Sequence, residues 1–212
     1  MIKAVIFDMD GVIIDSEPVY MARQEAYLAA RGRSASRAQL NKLVGASNKD
    51  CWEMLLSLAG PEITMEELKT DYRRYQAGLP PIRYRDILNP DFCTAAGMLR
   101  EKGIRLALAS SSPMDHIHVV LEECGLENWF EQVVSGEQFA KSKPDPEIYL
   151  YALEKLKIGC GEAAAVEDSA YGIQAAKAAG LTCFALRENR FDFKQDKADY
   201  LIDRLSQLLN YL

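Results

Sequence analysis

Asp8 and Asp10 stand two positions apart, at the end of the apolar run Lys3-Ala-Val-Ile-Phe7 and directly before Gly11. On extended backbone, side chains two apart share a side. A glycine then permits a sharp turn, so both carboxylates can face one pocket. Like charges held that close are costly unless a cation or a proton sits between them. The same residues also suffice to open an ordinary solvated turn. Three further clusters could do chemistry. In Ser110-Ser111-Ser112-Pro113, small hydroxyls and backbone N–H groups ahead of a helix suit a phosphate, or simply cap that helix. In Lys141-Ser-Lys143-Pro-Asp-Pro146, two prolines make a stiff turn that either presents Lys143 inward or leaves it a surface lysine. In Val166-Glu167-Asp168-Ser169, two more carboxylates end an apolar run, where Asp168 or Ser169 could equally cap a helix. Carboxylates, hydroxyls and a lysine are together the groups of phosphoryl transfer. Carboxylate oxygens suit Mg²⁺, which keeps water that phosphate oxygens can replace.

These clusters need strands to carry them. Lys3–Phe7, Arg105–Ala109, Gln132–Val134, Ala163–Val166 and Leu181–Ala185 read as short buried strands. Between them, Asp91–Lys102, Met114–Cys124, Pro146–Leu156 and Ser169–Ala179 have helical spacing, and Gly103, Gly125 and Gly180 follow the last turns of three of them. Alternating strand and helix predicts an α/β fold, a Rossmann-like parallel sheet with helices on both faces. Ligands of such sheets bind outside the carboxyl ends of the strands, which is where the four clusters fall.

Residues 16 to about 80 break the alternation with helical stretches only, near Glu17–Ala30, Ala38–Leu43, Lys49–Leu58 and Met65–Ala77. Ser16 is placed to cap the first, with Pro18 in its first turn. The pattern predicts a core of residues 1–14 and 86–212 interrupted by an all-helical domain over 15–85, with hinges near Asp15 and residues 80–86.

The chain has 212 residues, 49% hydrophobic and 26% charged, a globular composition with room for a real core. Its net charge of −6 lacks the basic footprint of a nucleic-acid binder. Residues 15–85 carry 11 basic and 9 acidic side chains, hence +2, and the remainder 14 and 22, hence −8. That asymmetry could help hold an anion between the two parts, and ordinary surface variation explains it equally well. No apolar stretch approaches the ~18 residues of a membrane span, and the N-terminus runs straight into Asp8, unlike a signal peptide. Five scattered cysteines without CxxC spacing point to neither disulfides nor zinc and suit a reducing cytoplasm. A cytoplasmic monomer acting on a small metabolite, with no nucleic-acid or membrane partner, is expected.

In order, Asp8-Met-Asp10-Gly11-Val12, the Ser110 strand end, Lys143 in Ser-Lys-Pro and Glu167-Asp168 resemble the four motifs of the haloacid dehalogenase superfamily. The resemblance spans nearly the whole chain. The insert after the first motif is similar to the small helical cap of the phosphatase and β-phosphoglucomutase-like branch. The resemblance implies Asp8 as nucleophile, Asp10 as general acid and base, and Ser110, Ser111 and Lys143 on the transferring phosphoryl. It implies Mg²⁺ held by Asp8, the Asp10 carbonyl and Asp168, with Glu167 beside the ion or on its water. It also disfavours a dehalogenase, which lacks the second aspartate. Val44-Gly45-Ala46-Ser47-Asn48-Lys49 resembles the loop that selects substrate, making Gly45, Asn48 and Lys49 candidate contacts, with Arg73 or Arg74 as further ones unless they only face solvent. Mutases of this branch carry a histidine in the first cap helix and an arginine in that loop. Here Tyr20 and Asn48 or Lys49 stand in those places, which favours a phosphatase acting on sugar phosphates over a β-phosphoglucomutase. His116 and His118 lie in a core helix and read as surface residues. A third possibility is a member that only binds a metabolite.

Overall fold

The computed structural model describes residues 1–44, 48–191 and 194–212, the side chain of Asn48 excepted. The chain divides into two compact units, residues 1–15 with 84–212, and residues 16–83. The seams fall between Asp15 and Ser16 and between Arg83 and Tyr84. Tyr84–Ile87 forms a 3-10 turn whose first N–H donates to Glu123 Oε2 at 3.0 Å, which ties it to the larger unit.

The larger unit is built on six parallel strands: β1 (Ala4–Phe7), β2 (Arg105–Ser110), β3 (Gln132–Ser135), β4 (Ala163–Glu167), β5 (Thr182–Leu186) and β6 (Tyr200–Ile202), in the order β3-β2-β1-β4-β5-β6. β1 and β4 are buried throughout, which is why they read as unbroken apolar runs instead of alternating. The chain builds outward from β1 through β2 to β3, then returns to lay β4 on β1's other side. That reversal makes a crevice at the carboxyl ends of β1 and β4. Alternate residues of β1 enter different cores. Ala4 and Ile6 pack with Ile148, Tyr149 and Ala152 of α7 (Glu147–Leu156) and Ile173 and Ala176 of α8 (Ala170–Ala178). Phe7 meets Phe92 of α5 (Phe92–Glu101) edge to face, with ring centroids 5.5 Å apart. α6 (Met114–Cys124) ends on Gly125 in the left-handed conformation.

The short strand β6 has no counterpart in the sequence reading. Three residues, two of them exposed, carry too little pattern to separate an edge strand from a loop. All five cysteines are free. Among the described residues no helix is long and apolar enough to cross a membrane.

The smaller unit is helical among its described residues: α1 (Glu17–Ala30), α2 (Arg37–Asn41), α3 (Asn48–Ala59) and α4 (Met65–Ala77). Ser36 and Thr64 begin α2 and α4 with reciprocal capping boxes to Gln39 and Glu67. Ser16 does not act this way. It occupies the cap position of α1, but its backbone is already helical and its side chain makes no cap hydrogen bond. Inside the unit, Asp71 accepts from Tyr27 Oη at 3.0 Å and from Arg31 at 2.7 Å, and Tyr72 meets both Tyr27 and Trp52 edge to face.

Candidate active site

Two strand ends and one loop bring the charged groups together. Asp8 follows β1 directly, and its N–H donates to the Val166 carbonyl of β4 at 2.9 Å, which locks the two strand ends side by side. Glu167 closes β4 and Asp168 follows it. Lys143 arrives from the loop before α7. Its Nζ lies 2.9 Å from Asp8 Oδ1, 2.7 Å from Glu167 Oε1 and 3.0 Å from the Ala109 carbonyl, so all three ammonium protons have acceptors. Asp8, Lys143, Glu167 and Asp168 are all buried. The proline-flanked turn therefore does turn its lysine inward.

One ligand atom each from Asp8, Glu167 and Asp168 lies within 4.8 Å of the others. Gly11 makes this approach possible. Its φ of 77° is the left-handed region, and a Cβ there would fall 2.0 Å from Asp168 Oδ2. Gly172 of α8 does the same for Glu167, since a Cβ there would fall 1.9 Å from Oε2. Among the described residues Glu167 Oε2 is buried without a hydrogen-bond partner, an oxygen placed to meet a cation. Asp168 is steadied through its carbonyl, which accepts from Gln195 at 2.6 Å, while Ser169 caps α8 by accepting from the Gly172 N–H.

Asp10 lies outside the three-carboxylate group. Its Oδ2 accepts from Ser112 Oγ at 3.1 Å. Ser110 is fully buried and its Oγ accepts the Ser112 N–H at 3.1 Å, whereas Ser111 is exposed. Pro113 holds the cap position of α6 and makes no side-chain cap, so the three serines are not there to cap it. Ser135 at the end of β3 donates to the Ser112 carbonyl at 2.7 Å and holds the turn in place.

Burial, then the charge of Glu167, pushes the Asp8 carboxyl up from 3.8 to about 7, although Lys143 pulls it the other way. Burial alone would lower Lys143, but the Asp8 and Glu167 carboxylates outweigh it and hold the ammonium firmly protonated. Tyr149 donates from its hydroxyl to Glu167 Oε1, and its ring centroid lies 5.1 Å from Lys143 Nζ. Burial and Glu167 raise its pKa well above the ordinary value, so the hydroxyl keeps its proton. Tyr149, Ser112 as partner of Asp10, Ser135 and Gly172 all escape the sequence reading. A buried tyrosine at helical spacing looks like core, and nothing local says which oxygen it meets.

Of the proposed substrate contacts, Gly45 and the Asn48 side chain lie outside the described residues. Lys49 is exposed, 3.8 Å from Glu53. Arg73 and Arg74 are exposed, and Tyr20 is half-buried on α1. A separate groove of about 890 Å³ lies beside Gly11, Asp15 and Arg190, but Arg190 is already paired there with Asp15 at 2.7 Å.

A parallel sheet with acidic strand ends gathered around one lysine is the frame of a haloacid dehalogenase-like hydrolase. That family's profile matches residues 2–180, and the chain belongs to the family. The chain is 32% identical over 181 residues to a phosphorylated carbohydrates phosphatase of Thermotoga maritima, covering 84% of this chain and 82% of that one. It is 30% identical over 185 residues to a β-phosphoglucomutase of Bacillus subtilis, covering 84% and 80%. The structure of CbbY from Rhodobacter sphaeroides, solved with xylulose-1,5-bisphosphate, superposes with a TM-score of 0.79 at 25% identity, covering 98% and 96%.

Proposed function

We propose that the protein is a Mg²⁺-dependent phosphatase that hydrolyses small phosphate monoesters, sugar phosphates first among them, through an aspartyl-phosphate on Asp8. One observation carries the reading: Lys143 Nζ stands 2.9 Å from Asp8 Oδ1 inside a buried set of carboxylates. A carboxylate and a phosphate dianion repel, so a carboxylate that attacks phosphorus needs fixed positive charge at its side. The Asp8 oxygen bonds to phosphorus as the ester P–O bond breaks. Asp10 gives its proton to the leaving oxygen. In the second half, Asp10 takes a proton from water, whose oxygen attacks phosphorus. The Asp8–phosphorus bond then breaks and releases phosphate. Ser110 Oγ, the Ser111 N–H and Lys143 hold the phosphoryl oxygens.

The residues fit a small divalent cation, because the donors are all carboxylate oxygens and Glu167 Oε2 is unpartnered. Asp8, Asp168 and the Asp10 carbonyl would hold it, with Glu167 alongside. Bound there, the ion would screen the charge of the phosphate and orient its oxygens. Residues 16–83 take the part of the cap, which selects the leaving alcohol, and Gly45, Asn48 and Lys49 are its candidate contacts.

The test is phosphate release from a panel of phosphorylated sugars with and without Mg²⁺. The Thermotoga maritima relative supports a carbohydrate phosphate as substrate. Similarity to a β-phosphoglucomutase supports a second reading, phosphoryl transfer between sugar positions. Supplying β-glucose 1-phosphate with a bisphosphate primer separates the two: phosphate release supports the phosphatase, isomerisation the mutase. No cleavage of p-nitrophenyl phosphate or acetyl phosphate would leave only metabolite binding.

A further inference from the structure

The buried hydroxyl of Tyr149 has no place in the chemistry above, yet it touches the residue that holds Lys143. Glu167 Oε1 accepts twice, from Lys143 Nζ at 2.7 Å and from Tyr149 Oη, while Oε2 accepts from nothing among the described residues. The face of the same ring lies 5.1 Å from the Lys143 ammonium, within range of a cation–π contact. Tyr149 is itself fully buried on α7, in the core cluster that also holds Ile6, Ala165 and Ile173. The ring is therefore fixed by packing and can serve as a rigid reference for the two charged groups.

We propose that Tyr149 is a positioning residue: through Glu167 and through its ring face it sets where Lys143 stands relative to Asp8. A carboxylate on a flexible side chain turns easily about its last bond. Among the described residues, two donors to Oε1 are the hydrogen bonds that set the rotation of Glu167, and one of them is Lys143 itself. Removing the Tyr149 hydroxyl leaves Glu167 and Lys143 to hold each other. The Lys143–Asp8 contact of 2.9 Å then keeps the backbone anchor at the Ala109 carbonyl but loses the one that acts through Glu167. Misplacement of a catalytic charge by a fraction of an ångström acts on the reaction more than on binding. The inference rests on the functional reading above only for its kinetic arm.

Tyr149→Phe keeps the ring and removes the hydroxyl. With p-nitrophenyl phosphate and Mg²⁺, kcat is expected to fall by about tenfold or more while KM stays within about threefold. Glu167→Gln, which keeps the size of the side chain, must lower kcat too. The double variant must then fall little below Glu167→Gln alone, since both act along one link. Multiplying effects, or an unchanged kcat in either single variant, overturn the proposal. A second arm needs no turnover. A buried ammonium with three acceptors exchanges its protons slowly enough to give a ¹H–¹⁵N signal, assigned by its loss in Lys143→Arg. Tyr149→Phe is expected to broaden or shift that signal, and an unaltered signal overturns the proposal. If wild-type protein cleaves no phosphate ester while the ammonium signal responds, the functional reading fails and the positioning role stands.

Discussion

Ser112 donates from Oγ to Asp10 Oδ2 at 3.1 Å, which joins the turn after β2 to the turn after β1. The serine is itself seated from both sides, by its N–H on Ser110 Oγ and by Ser135 on its carbonyl. Asp10 therefore has a fixed donor at one oxygen. Ser112→Ala should lower kcat by about 5- to 30-fold, the equivalent of 1–2 kcal/mol. Asp10→Asn should cost at least ~10²-fold, as expected for a general acid and base. If Ser112→Ala costs as much in the Asp10→Asn background as alone, the serine acts elsewhere.

Asp8 gives the site a pH dependence. Its folded pKa of about 7 exceeds the ordinary 3.8, so between those values the folded chain keeps a proton the unfolded chain has lost. Stability then falls as pH rises through that window. Without divalent cations, the melting temperature should drop between about pH 4 and about pH 7, and Asp8→Asn should remove much of that slope while abolishing phosphate release. Mg²⁺ should raise the melting temperature more at about pH 8 than at about pH 5, because it binds ionised carboxylates. Equal shifts at both pH values would take Asp8 out of the ligand set.

Gly172 reverses the usual rule for helices. Replacing an interior helical glycine by alanine ordinarily gains about 1 kcal/mol. Here the new methyl would lie 1.9 Å from Glu167 Oε2 and 2.1 Å from its Cδ. Gly172→Ala should instead cost about 1–3 kcal/mol, as overpacking does, and displace the carboxylate that holds Lys143. Urea unfolding together with phosphate release checks both effects. A stabilised, fully active variant would show that Glu167 moves aside without penalty.

Away from the site, Asp199 accepts from the Cys183 N–H at 2.7 Å and from Lys177 Nζ at 2.6 Å, fastening the approach to β6 onto β5 and α8. Partial burial alone would raise its pKa, but these two donors hold it below the usual carboxylate value. A depressed pKa stabilises above 3.8 and is lost as pH falls through the folded value. Asp199→Asn should cost up to about 1 kcal/mol at neutral pH, given the partly exposed ion pair. The gap from wild type should close in acid. Chemical denaturation at neutral and acidic pH measures it, and a gap that persists in acid would assign the loss to packing.

Much of this architecture is legible without coordinates. β1 and β4 are fully buried, so their sequences run apolar up to their carboxyl ends, where polar residues mark the stop. Asp8, Ser110 and Glu167-Asp168 stand out for that reason, and Lys143 because two prolines frame it. Ser36 and Thr64 keep a local capping signature. β6 does not, because an exposed edge strand of three residues leaves no periodicity to read. Ser16 misleads, since its residue type suits a cap that its helical backbone rules out.

What the amino-acid order determines by itself is the set of strands, the interruption after the first, and the residue types delivered to the strand ends. These follow from short-range rules of burial, spacing and turn chemistry. Only the tertiary structure decides which atoms meet: Lys143 on Asp8 across 135 positions, Tyr149 on Glu167, Ser112 on Asp10, and the two glycines that leave room for carboxylates. Those contacts depend on how far each strand end lies from its neighbour in three dimensions. That distance is set by the sheet's register and helix packing as a whole, and no local stretch of residues encodes it.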